Sequence, residues 1–207
     1  MAPPLSDAVI VDALRRVDRL LSPGVKRLGR PPARPQADRD AWWAEQASAV
    51  AGVVAAAPRF LGRLADLLPL QNTVGTATQS VVVLGVAAEH GVEDPAERVA
   101  LLAQVLLGRD LTAEQVRPLL THAKGTYRDD ALGAAGRRGP VRTLWRASRI
   151  LGRIDDALDA RPKGRLHHRA LANLPVVGVL GGYAAEREGL RRAANRTATL
   201  LTGRVRR

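Results

Sequence analysis

The chain of 207 residues has no cysteine, a single methionine and only 3% aromatic residues. Without cysteine there can be no disulfide and no thiolate metal site, so redox chemistry does not fix a compartment. Strand-favouring residues come mostly as Val, while the bulk is Ala, Leu and Arg, all good helix formers, and an all-α protein is the expectation. A secretory leader needs basic residues and then an unbroken apolar run. The first residues instead contain Pro3, Pro4 and Asp7, which makes a cytoplasmic location the default. No phosphate-binding loop, nucleophile elbow or paired-carboxylate motif is present. The four histidines, His90, His122, His167 and His168, lack metal-ligand spacing, and Glu89-His90 with Glu93 reads as a solvated helix end. Asp155 and Asp159 form an i,i+4 acidic pair that could hold a divalent cation, although neutralising nearby arginines fits them better. No catalytic residue, metal or cofactor is therefore assigned, and a non-enzymatic protein is expected.

What the chain does carry is positive charge, +12 in all, nearly all of it arginine: the only lysines are Lys26, Lys124 and Lys163. Residues 1–135 hold 15 basic and 15 acidic residues, whereas residues 136–207 hold 17 basic against 5 acidic, which is the whole excess. A compositional drift toward arginine would act on both parts. The localisation points instead to a basic face that meets phosphate, in lipid headgroups or in nucleic acid.

At this length one sizeable core is expected, with a loose N-terminal extension. A first amphipathic helix is predicted from Ser6 to Leu21, stopped by Ser22-Pro23-Gly24. The stretch to residue 39 contains Pro31, Pro32 and Pro35 and reads as a flexible linker. Asp40 is predicted to cap the next helix, through Trp42 and Trp43 to Pro58, where a new helix starts. A helix from Leu70 or Thr73 to Glu89 closes at His90-Gly91. Asp94-Pro95-Ala96-Glu97 and Thr112-Ala113-Glu114-Gln115 are two start signals, the second interrupted within two turns by Pro118. An amphipathic helix over 137–160 and a last helix from Pro175 follow, in a helical domain of about seven helices. The predicted organisation is an N-terminal helix and linker over 1–39, a helical domain over 40–203 and a basic tail over 204–207.

Two Leu-Pro-led stretches are uncharged: the 22 residues between Asp66 and Glu89, and Ala170 to Ala185. Twenty-two residues at ~1.5 Å each would reach ~33 Å, enough to cross a bilayer on length alone. The first half is filled by Pro69, Gln71, Asn72, Thr73, Thr76, Thr78, Gln79 and Ser80, which favours a buried core helix over a span or an interfacial hairpin. In the last helix Gly178, Gly182, Ala185 and Gly189 lie at intervals of four, three and four, so a second backbone can approach that side closely.

The most specific surface signal is a stripe of arginines. Arg138, Arg142, Arg146, Arg149 and Arg153 occupy about 80° of a helix circumference at ~100° per residue, with Trp145 at the border. With Arg204, Arg206 and Arg207 they are the candidate anionic-surface residues. Guanidinium groups beside an indole suit anionic lipid headgroups at an inner membrane surface, and they could equally track a nucleic-acid backbone. A third reading is a solvated face paired with Asp129, Asp130, Asp155 and Asp156.

Leu68-Pro69 leading into a Thr/Ala-rich helix, Glu89-His90-Gly91-Val92, Asp94-Pro95-Ala96-Glu97-Arg98, and Leu174-Pro175-Val176-Val177-Gly178-Val179-Leu180-Gly181-Gly182-Tyr183 together resemble the EcsC-like family. Over residues 40–200 the resemblance implies a bacterial, mostly helical, often membrane-associated protein with no catalytic residues to carry over. The expected function is that of a peripheral membrane or scaffold protein binding anionic surfaces. A nucleic-acid-associated protein, or a soluble module that binds a partner protein or itself, is the alternative.

Overall fold

In the computed structural model, seven helices and no strand are found among the described residues, which are 5–28, 31, 33, 35–56, 70–122, 140–152, 154 and 178–205. The helices are α1 (Asp7–Arg27), α2 (Gln36–Ala56), α3 (Leu70–Glu89), α4 (Pro95–Leu107), α5 (Ala113–His122), α6 (Pro140–Leu151) and α7 (Gly178–Val205). The fold is all-α. The predicted helix start at Pro58, residues 67–69 of the first Leu-Pro-led stretch and residues 170–177 of the second, including the predicted helix start at Pro175, lie outside the described residues.

α3 is the axis of the bundle, and α1, α2, α4, α6 and α7 all pack against it. From Gly75 to Ala87 every residue except the half-buried Val81 is buried, including Thr76, Thr78, Gln79 and Ser80. The hydroxyl of Ser80 donates to the Thr76 carbonyl at 2.8 Å, so this polar group is satisfied within its own helix. A stretch enclosed on nearly all sides has no solvated face, and charge is accordingly absent from Gly75 to Ala87. Among the described residues no helix is long and apolar enough to cross a membrane. α7 packs against α2, α3 and α4, so the parts of the two uncharged stretches that lie in α3 and α7 belong to neighbouring helices.

The close approach of α2 to α3 depends on Gly85. A Cβ at that position would lie 2.2 Å from the Trp43 ring, which is buried to 1% exposure and stands edge-on to Trp42 at 86°. The missing side chain makes room for the indole.

Capping explains the sharp ends around α4. α3 ends with Gly91 at φ +74, where the N–H groups of Gly91 and Val92 donate back to Ala88 and Ala87 at 3.1 and 2.9 Å. Asp94 caps α4 by accepting the Ala96 N–H at 3.0 Å, Pro95 occupies the first turn, and Gly108 at φ +63 closes the end. Thr112 and Gln115 form the reciprocal box of α5, with Thr112 N–H donating to Gln115 at 2.9 Å and Gln115 N–H to Thr112 at 3.4 Å.

Four local expectations are corrected. α1 does not stop at Ser22-Pro23-Gly24 but runs on to Arg27; Pro23 is exposed, buried Val25 holds the last turn on the core, and the Leu28 N–H bonds Gly24 at 3.0 Å. Nor is α1 a loose extension: Ile10, Val11, Leu14 and Val17 are fully buried in the one core cluster. Asp40 does not cap α2, which begins a turn earlier, after the Pro35 carbonyl has accepted the N–H groups of Asp38 and Arg39. Pro118 does not interrupt α5, which continues to His122.

Candidate anion-binding surfaces

α6 separates its two faces cleanly. Leu144, Ala147, Ser148 and Leu151 are buried, as is Ile154 just beyond the helix. At ~100° per residue these positions centre roughly 180° from the arginine stripe. On the outer side Arg149 is exposed and Arg146 half-buried, and each also has an interaction within the chain. Arg142 and Trp145 lie on α6 with side chains outside the described set, and Arg138 and Arg153 fall outside it altogether. Arg204 lies in the last turn of α7, while Arg206 and Arg207 are not described. Among the described residues the backbones of α6 and α7 are not in contact, while α2 and α3 pack against both, so the two helices that carry the candidate arginines are separated there. Gly178, Gly182, Ala185 and Gly189 all lie on α7, and Gly189 is buried, continued by buried Ala193 and Thr197 at intervals of four.

A second basic surface was not anticipated. α1, α4 and α5 enclose a groove of about 610 Å³. Five cations line it, Arg15, Arg19, Lys26, Arg98 and Arg117, against two carboxylates, Asp18 and Asp94. Asp18 is 3% exposed and receives a two-pronged bond from Arg98, Nε to Oδ1 at 2.7 Å and Nη2 to Oδ2 at 3.0 Å, plus the Ser22 hydroxyl at 2.8 Å. The hydrogen bonds to Asp18 raise the pKa of Arg98 further, outweighing its partial burial. At the rim Arg117 donates to Asp94 at 2.7 Å, which raises the arginine in turn. Asp94 is held below the usual carboxylate value, first by the Ala96 N–H, then by the Arg117 hydrogen bond and the nearby charges of Arg117 and Arg98. Asp94, Arg98 and Arg117 are thus held in their charged forms, and the lining has more cations than carboxylates.

One signal in the sequence could have revealed this groove. Arg15, Arg19, Ser22 and Lys26 recur at intervals of four, three and four, the same periodicity as the α6 stripe. α1 reads most readily through its apolar side, and the stripe's opposing wall lies about 80 residues further along the chain.

The end of α3 is not solvated in the way its sequence suggests. His90 Nε2 lies 3.2 Å from Asp40 Oδ2, Asp40 is 5% exposed, and the Gln36 amide donates to its other oxygen at 2.9 Å. Arg39 pairs with Glu89 at 3.7 Å, and only Glu93 is exposed. The two pairs clasp the start of α2 to the end of α3. Among the described residues no group of three or more His, Asp or Glu is placed to hold a metal ion.

No protein family, curated protein or solved structure matches the chain.

Proposed function

We propose that the protein is a non-enzymatic helical module that associates peripherally with anionic surfaces, through the arginine face of α6. The observation that carries this reading is the opposition within α6: its buried residues face the core, and its arginine positions fall on the other side. Cationic side chains on an outward helix face gain from anionic headgroups about 1 kcal/mol each near the surface. The resemblance to EcsC-like proteins supports the same reading, with a bacterial origin and a cytoplasmic, inner-membrane location. Nucleic acid offers the same phosphate chemistry and is the second reading.

Flotation with vesicles tests it. The full chain is expected to float with vesicles of phosphatidylglycerol and phosphatidylcholine, to stay behind with pure phosphatidylcholine, and to be released by salt. Reversing Arg142, Arg146 and Arg149 to Glu should abolish flotation with the fold intact. Equal, negligible binding to both vesicle types sinks the proposal. Salt-sensitive retention of DNA or RNA on a filter without flotation replaces it with the second reading.

A further inference from the structure

The groove between α1, α4 and α5 lies in the part of the chain whose summed charge is zero, and it does not depend on α6. Its walls nonetheless carry five cations against two carboxylates, and even with Asp12 paired to Arg15 at 3.1 Å behind the lining, cations exceed carboxylates by two. A single carboxylate ligand would neutralise one of these charges. A phosphate monoester approaches two, and its oxygens match the fork of a guanidinium. The volume of about 610 Å³ is in the range of small-molecule sites and far exceeds a bare phosphate ion. Pro23, Pro95, Ala96 and Leu120 supply apolar lining between the charged groups, suited to the carbon portion of an ester. The groups that shape the groove are also fixed: Asp18 and Arg98 are tied to each other, and Asp94 to the first turn of α4. A wall held in place this way keeps its shape when a ligand binds.

We propose that this groove binds a small organic phosphate ester, with Arg19 and Lys26 on the open face of α1 meeting the phosphate and the Asp18–Arg98 pair bracing the wall behind it. The ester is either free in solution or the headgroup of a lipid. The site is independent of the α6 reading, and the two fail separately.

The test titrates the full chain with glycerol 3-phosphate by calorimetry and, in a second arm, with phosphatidate against phosphatidylglycerol vesicles at equal surface charge. Three variants accompany it. Arg19→Ala/Lys26→Ala removes two exposed cations from α1. Asp94→Asn removes a wall charge but keeps a side chain that caps equally well. Arg146→Glu/Arg149→Glu alters α6 alone. Glycerol 3-phosphate is expected to bind saturably, tenfold or more weakly in the α1 variant, at least threefold more tightly in Asp94→Asn, and unchanged in the α6 variant. If only phosphatidate vesicles bind, in preference to phosphatidylglycerol and with the same dependence on the groove variants, the source of the ester is lipid. Absence of binding in both arms, or binding that the α1 variant leaves unchanged while its thermal melt matches wild type, overturns the proposal.

Discussion

The α6 face and the α1/α4/α5 groove are both basic, yet they are built in opposite ways. α6 draws its arginines from one contiguous helix in the charge-rich last third of the chain. The groove draws its cations from three helices in the part whose charges cancel. A sum over a segment counts every carboxylate equally, including those on other faces of the molecule. What a ligand meets is the local surplus, and that depends on where the fold sends each carboxylate. The second difference is rigidity. The groove rests on a buried ion pair, whereas the outer side of α6 makes no described contribution to the core.

That contrast can be broken most sharply at Asp18. Asp18→Ala leaves Arg98 partly buried without its carboxylate and should cost about 3 kcal/mol in urea unfolding at neutral pH, below the upper range for such pairs because Arg98 keeps some contact with water. A loss under 1 kcal/mol would mean that the groove is no more rigid than α6. Next comes Gly85, which lies under neither surface. Gly85→Ala forces a methyl into the Trp43 ring and should destabilise by about 1–3 kcal/mol despite the better helix propensity of Ala. Both binding activities should survive below the melting temperature, which separates stability from recognition.

Asp94 gives a smaller and pH-dependent effect. Asp94→Ala should cost about 1 kcal/mol at pH 7 through the lost cap. Because the folded pKa of Asp94 is lowered from 3.8, its contribution is fully present above that value and is lost as pH falls through the folded one. Unfolding curves of wild type and variant should therefore converge in acid. A gap that stays constant to pH 2 would show that the carboxylate charge plays no part. The smallest effect is expected on α6, where Arg149→Glu should change stability by less than about 0.5 kcal/mol while weakening flotation. A larger loss would mean that the arginine face is structural.

Legibility in the sequence followed the range of the interactions involved. Pro95, Gly91 and the Thr112/Gln115 box act within four residues, and the helices around them could be placed by inspection. α6 could be oriented because half of it stays outside, which imprints a period on the chain. Asp40 looks like a cap in the sequence because its partner His90 is 50 residues away, and the pairings of His90 with Asp40 and Glu89 with Arg39 are equally invisible there. Pro23 reads as a stop because local rules do not include the packing of Val25 against the core. The groove needed residues 80 apart to be seen together. Polar Thr76 to Ser80 can be recognised as core only through the company of uncharged neighbours, since Gly75 to Ala87 has almost no outer face to set a period.

The bond from Asp18 to Arg98 also imposes an order of events on the nascent chain. Every helix that covers α1 is translated after it: α3, α4, α5 and α6. At roughly 5–20 residues per second, the 80 residues between the two partners take about 4–16 s to emerge. Until α3 emerges within that interval, Ile10, Leu14 and Val17 have no native surface to cover. α1 therefore waits for partners that follow it, and its apolar flank is complete only when α6 has joined α3, α4 and α5.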